Sequence, residues 1–227
     1  MNARHMTSVA AAALIALLSA HLTAIADKMS ETRGGEGVRL FDGHSFAGWE
    51  GNLERFRIED GAIVAGRLDA PIPRNEFLCT TKEYANFDLR LKCKLVLGNA
   101  KKVNAGIQIR SRRMPKDAKR PNEMIGYQAD LAKGYWGCLY DESRRAKILA
   151  GPSEDLRQNL GKLGEWNDYR ILCEGPRIRL WFNGRQTVDY IAEDPTIPQK
   201  GLIGLQIHGG GPSEAWYKDI KIRVLPD

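Results

Sequence analysis

The sequence predicts an all-β fold, an antiparallel β-sandwich of the jelly-roll kind. Three observations carry that expectation: short segments in which apolar and polar residues alternate, turn signals spaced regularly between them, and no convincing amphipathic helix. The clearest segment runs from Phe87 to Leu95, where Phe87, Leu89, Leu91, Cys93 and Leu95 alternate with Asp88, Arg90, Lys92 and Lys94. One face of such a strand packs on a core while the other stays polar. A chain of 227 residues with 43% hydrophobic and 27% charged side chains has the make-up of one sizeable globular domain.

Residues 1–26 read as a secretory signal peptide: Arg4 and His5 precede the apolar run Val9 to Ala20, and Ala24-Ile25-Ala26 offers small residues for cleavage. The run is too short to span a bilayer, so no membrane span is expected. The protein is read as exported, to the periplasm or the extracellular space. Residues 27–37 form a polar, glycine-containing leader, and 38–227 form a single jelly-roll domain. Removing the signal leaves 33 basic against 28 acidic side chains, because the segment holds one arginine and no acid, for a formal charge of +5. The positive charges are scattered, and a basic balance in an exported protein does not point to nucleic acid.

The domain opens with Val38 to Phe41, the turn Asp42-Gly43 and the aromatic anchor Trp49. Asp60-Gly61 between Phe56-Arg57-Ile58-Glu59 and Ala62-Ile63-Val64 signals a hairpin, as does Asn183-Gly184 further on. Phe77 to Thr81, Gly106 to Ser111, Gly126 to Leu131, Gly137 to Tyr140, Trp166 to Glu174, Arg177 to Asn183, Gly201 to His208 and Ala215 to Leu225 supply further strands. A turn of helix is expected at Ser153 to Leu156, with Ser153 as cap. Cys79, Cys93, Cys138 and Cys173 allow two disulfides in three pairings, but Cys93 continues a core face and buried thiols are the preferred reading. No spacing such as CxxC suggests a metal. A structural calcium finds no ligand run such as DxDxD, so no cofactor is expected.

The chemistry concentrates around Gly126 to Arg145, GYQADLAKGYWGCLYDESRR. Three strands share a pattern: Gln108 and Arg110 beside Ile107 and Ile109, Gln128 and Asp130 beside Tyr127, Ala129 and Leu131, Gln206 and His208 beside Leu205 and Ile207. Strict alternation puts each polar set opposite the core face. If these strands are neighbours about 4.8 Å apart, the amides, acid, arginine and histidine share one surface a sugar ring could cover. Trp136, Tyr140, Trp166 and Trp181 are candidate sugar platforms. The bland alternative is an antiparallel sheet with one solvated face, with Asp141-Glu142 and Arg144-Arg145 forming a surface salt-bridge loop.

The segments LFDGHSFAGWE, FRIEDGAIVAG, FLCTTKEYANFDLRLKCKL, NAGIQIRSRR, GYQADL, WNDYRILCEGPRIRLWFNG and GLIGLQIHGG cover nearly the whole expected mature chain in order. They resemble the domain-of-unknown-function 1080 family, described as 3-keto-disaccharide hydrolase domains, whose fold is the concanavalin A-like (laminin-G-like) jelly roll. Where its members often read GYE-x-Q, this chain has Gln128 and Asp130, so the acid stands two positions further along the same face. The resemblance implies an enzyme cleaving glycosidic bonds of 3-keto-glycosides. A ketone at C3 acidifies the C2 hydrogen; a base removes it and the enolate expels the C1 substituent. Asp130 or His208 would be the base, Arg110 the oxyanion partner and Asp141 or Glu142 the acid. Gln108, Gln128, Gln206, Tyr140, Trp136 and Trp166 would hold the sugar. Direct two-carboxylate hydrolysis, a non-catalytic glycan-binding module on the same sheet, and a structural or assembly protein remain as alternatives.

Overall fold

The computed structural model describes residues 37–120 and 123–226; the expected signal peptide and all of the leader but Gly37 lie outside the described residues. Along the chain the strands are β1 (Val38–Arg39), β2 (Trp49–Glu50), β3 (Phe56–Glu59), β4 (Ala62–Arg67), β5 (Glu76–Thr80), β6 (Phe87–Leu97), β7 (Asn104–Arg113) and β8 (Met124–Ala132). They continue as β9 (Leu139–Glu142), β10 (Ile148–Ala150), β11 (Asn167–Glu174), β12 (Arg177–Phe182), β13 (Arg185–Ile191), β14 (Leu202–Ile207) and β15 (Ser213–Val224). The expected antiparallel sandwich is what forms. One sheet has the order β13-β12-β11-β6-β15-β4-β3 with β1 added on β15; the other has the order β10-β9-β8-β7-β14-β5-β2.

Alternation explains the layers. Leu89, Leu91 and Cys93 of β6, Ile171 and Cys173 of β11, and Tyr217 and Ile222 of β15 meet Ile107, Ile109, Tyr127, Ala129, Leu205 and Ile207 of the second sheet in one buried core. Both predicted hairpins have left-handed backbones at their turns: Asp60 and Gly61 at φ 49° and 68°, Asn183 and Gly184 at 49° and 76°. Two-residue turns of this twist require such φ values, which Asn, Asp and Gly tolerate. The one-turn expectation at Ser153 becomes the helix α1 (Glu154–Asn159); Ser153 stands at its N-cap without a side-chain hydrogen bond. All four cysteines are free and buried.

One departure from simple alternation positions the site. The β7–β8 register shifts between Ile109 and Arg112, where Arg110 has φ 47° and Gly126 has φ 151°. A Cβ on Gly126 would come within 2.1 Å of Ser111 Oγ, so only glycine fits opposite the bulge. Beyond it the hairpin folds over the outer face of β14 and β5. Met124 Sδ sits 3.2 Å from Cys79 Sγ, and the Glu123 carboxylate accepts hydrogen bonds from Asn75 Nδ2 at 3.0 and 3.2 Å. This folded-over hairpin makes a sheet face that alternation alone reads as solvated into a buried one.

Candidate functional site

The outer face of the second sheet is assembled by register. Gln206 of β14 pairs with Gly106 of β7, which pairs with Asp130 of β8. In the next row Gly204 pairs with Gln108, Gln108 with Gln128, and Gln128 with Tyr140. Glu142 follows two residues along β9, opposite Gly126. His208 lies just past the end of β14, and its backbone N–H donates to the Asn104 carbonyl at 3.0 Å. Sequence parity therefore brings Gln108, Gln128, Asp130 and Gln206 together, with Tyr140, Glu142 and His208 at the margin.

The face is wired. Ser111 Oγ donates to Gln108 Oε1 at 2.7 Å, Gln108 Nε2 to Gln128 Oε1 at 2.6 Å, and Gln128 Nε2 to Asp130 Oδ1 at 2.7 Å. Ionised, the Asp130 carboxylate only accepts, so the Gln128 amide turns its NH2 toward it and the direction of the whole relay is fixed in that form. Among the described residues that is the one hydrogen bond to the Asp130 side chain. Asp130 is 4% exposed. Burial pushes its carboxyl up to about 8, against the Gln128 hydrogen bond, with the charge of Glu142 adding to the rise.

Across Gly106 stands Gln206, fully buried, with neither its Nε2 nor its Oε1 in a hydrogen bond. A Cβ on Gly106 would lie 2.6 Å from the Gln128 side chain, so the glycine makes room for that side chain in the row between Gln206 and Asp130. An amide buried with both polar atoms unpaired costs stability, roughly 1–3 kcal/mol per unsatisfied group. Native cores seldom carry that cost without a use for the group. Glu142 is raised above the ordinary carboxylate range by burial first and by the charge of Glu123 second. The His208 ring places Nδ1 2.8 Å from the Gly209 carbonyl; a carbonyl only accepts, so Nδ1 carries the proton and Nε2 is left open.

Five of the residues expected from the sequence stand away from this face. The bulge turns Arg110 to the inner side, where Nε donates to the Ala85 carbonyl at 2.8 Å and Nη1 to the Gly175 carbonyl and Gln199 Oε1, both at 2.6 Å. It clamps the end of the sandwich and does not face Asp130. Asp141 alternates inward opposite Tyr127, and both Arg144 and Arg145 are paired to it. Trp136 is buried in the core, 5.4 Å from Phe182. Trp166 sits on the outer face of the other sheet, edge-on to Trp216, and Trp181 is stacked under Arg170 on that sheet too. Gln108 and Gln128 are committed to the relay, leaving Gln206 as the amide with both polar atoms open. Sequence reading missed Ser111, whose Oγ begins the relay, and Gly106; the NAG-I-Q spacing was the available signal for Gly106.

A family model described as the 3-keto-alpha-glucoside-1,2-lyase-like domain matches residues 36–223. The chain belongs to that family. A 3-keto-disaccharide hydrolase of Bacteroides thetaiotaomicron is 22% identical to it over 240 residues, spanning 83% of this chain and 78% of the relative. Among solved structures, a candidate glycosyl hydrolase of Parabacteroides distasonis matches with a TM-score of 0.61 at 21% identity, over 84% of this chain and 94% of that one. A carbohydrate-binding module of Bacillus subtilis matches with a TM-score of 0.58 at 14% identity, over 78% and 95% of the respective chains. At these identities the solved structures establish the shared sandwich. As a 3-keto-glucoside lyase-like domain the chain is carbohydrate-related. Among the described residues no helix is long and apolar enough to cross a membrane, and no group of three His, Cys, Asp or Glu side chains could hold a metal ion.

Proposed function

We propose that this protein is an exported enzyme that cleaves the C1–O bond of 3-keto-glycosides by elimination and then adds water, on the outer face of the second sheet. The single observation that carries the reading is the buried Asp130 carboxyl group, anchored through one oxygen to an amide relay and standing in the same cross-strand row as the unpartnered Gln206 amide. A carboxylate with raised proton affinity is a better base, and its anchored oxygen fixes where the other one points.

The roles follow from position. Asp130 takes the C2 proton, which the adjacent C3 ketone has acidified. The electron pair forms the C2=C3 enolate, whose oxygen accepts from Gln206 Nε2, a buried donor with no competing partner. Collapse of the enolate forms the C1=C2 bond, restores the ketone and expels the C1 oxygen. Glu142, held protonated to higher pH by its surroundings, gives that oxygen its proton. Addition of water across C1=C2 returns a proton to C2 and a hydroxyl to C1, so the net change is hydrolysis. Tyr140, in the row of Gln128, is placed to flank the ring.

The test is incubation of the protein with a 3-keto-disaccharide and with its unoxidised parent, products being read by mass. The 3-keto substrate alone is cleaved, and Asp130→Asn lowers kcat by roughly a hundredfold or more while sugar binding survives. Equal cleavage of both disaccharides would favour a two-carboxylate hydrolase. Glycan binding with no turnover of either would favour a binding module.

A further inference from the structure

A cavity of about 680 Å³ opens at the end of the same sheet, next to the row that holds Asp130. Asn104 and Ala132, which pair with each other, lie two residues along β7 and β8 from Gly106 and Asp130. That step is about 6.6 Å along a strand. His208 and Asn104 line both the margin of the site and the mouth of this cavity, and Asn104 Oδ1 is buried there without a hydrogen bond.

The charge of its wall is one-sided. Lys101, Lys102 and Lys133 line it together with His208, and no Asp or Glu does. Among the described residues none of these three lysines is in an ion pair, whereas most lysines and arginines of the other sheet's outer face are paired to carboxylates. Around Asp130 the sign is reversed, since Glu142 and Glu123 stand on that side. The three lysines are exposed, and together they make the wall of the cavity attractive to an anion. Tyr135 and Gln158 on the same wall supply an aromatic edge and an amide, groups that suit a second sugar ring.

We infer that this cavity receives the leaving half of the substrate, and that this half is anionic: a sugar bearing a carboxylate or a sulfate. The inference rests on the proposed elimination at Asp130, which requires the C1 substituent to extend away from the ring over that residue. The lysines hold the negative group at the far end, while His208 Nε2 meets the hydroxyls nearest the broken bond. The site then selects for charge in the departing sugar and not in the 3-keto ring.

Three 3-keto-glucosides test this, with glucose, glucuronate and glucose 6-sulfate as the leaving sugar. In low salt the wild type shows kcat/KM for both charged substrates about five- to tenfold above the neutral one, as expected for a few exposed ion pairs. The ratio shrinks as salt is added. It falls toward one in the variant Lys101→Ala/Lys102→Ala/Lys133→Ala, and inverts in Lys133→Glu, whose exposed position leaves folding intact. Preference for one charged substrate alone identifies carboxylate or sulfate as the recognised group. No preference in the wild type, or one that survives the triple substitution, overturns the inference. If no 3-keto-glucoside turns over, the proposed elimination fails, and calorimetry with free glucuronate and glucose 6-sulfate decides the cavity by itself. Binding that is lost in the triple variant supports it, and absence of binding overturns it.

Discussion

The two outer faces of the sandwich are built by the same alternation and end in opposite states. On the first sheet the outward side chains of neighbouring strands satisfy each other. Asp88 of β6 accepts from Arg170 of β11 at 3.1 Å through both oxygens, with Arg90 and Arg223 at its side. Lys92 reaches Asp168 at 2.6 Å, Arg177 reaches Asp189, and Lys94 lies 4.1 Å over the Trp216 ring. Around Asp130 on the second sheet a serine hydroxyl, two amides and one acid are joined end to end in one relay, with Gln206 left unpaired. Cross-strand pairs that close on themselves make a scaffold. A buried chain that ends on a single carboxylate, opposite an open amide, stores unsatisfied valence for a ligand.

Substitutions that affect the two faces differently sharpen this contrast. The largest effect is expected at Gln206→Leu, which keeps the volume and removes the enolate partner. Turnover of a 3-keto-disaccharide falls roughly a hundred- to a thousandfold, the scale of losing one oxyanion donor. Thermal unfolding moves in the opposite direction, to higher temperature, because two buried unpaired polar atoms are gone. A loss of both stability and activity would return Gln206 to an ordinary structural role.

Asp88→Asn is expected to reverse that profile, leaving kcat unchanged and lowering stability by about 2 kcal/mol as its arginines lose a buried partner. Burial works to raise the Asp88 carboxyl, but the hydrogen bonds and charges of Arg170 and Arg90 prevail and hold it below the ordinary carboxylate range. A group depressed in the folded state contributes stability that is present above its unfolded value and lost as pH falls through its folded one. Denaturant midpoints of wild type and variant should therefore converge only in acid. The smallest effect is expected at Lys94→Ala, about 0.5–1 kcal/mol from its contacts with Trp166 and Trp216. It is measurable by denaturant unfolding, with no change in turnover.

Most of the architecture was legible in the residues. Alternation in β6, the Asp60-Gly61 and Asn183-Gly184 turns and the parity of Gln108, Gln128, Asp130 and Gln206 all depend on local geometry, and local geometry is written in short spacings. What alternation could not carry was a break in itself. Arg110 looked like the next outward residue after Gln108, but the bulge that Gly126 permits inserts one residue and reverses its side. Asp141 precedes Glu142 and had to face the other way once β9 was a strand and not a loop. Trp136 and Trp166 were assigned to the sugar from their residue type alone, and type says nothing of which layer a side chain joins. The folded-over hairpin was equally hidden, since contacts such as Met124 with Cys79 join residues 45 positions apart.

The central claim is that Asp130 acts as a base whose proton affinity burial has raised. The most direct measurement is kcat/KM for a 3-keto-disaccharide against pH. The base must be deprotonated and Glu142 protonated, so kcat/KM should be bell-shaped, with one limb inflecting at about 8, where Asp130 titrates. A profile with no limb near 8, or full turnover in Asp130→Asn, would contradict the account.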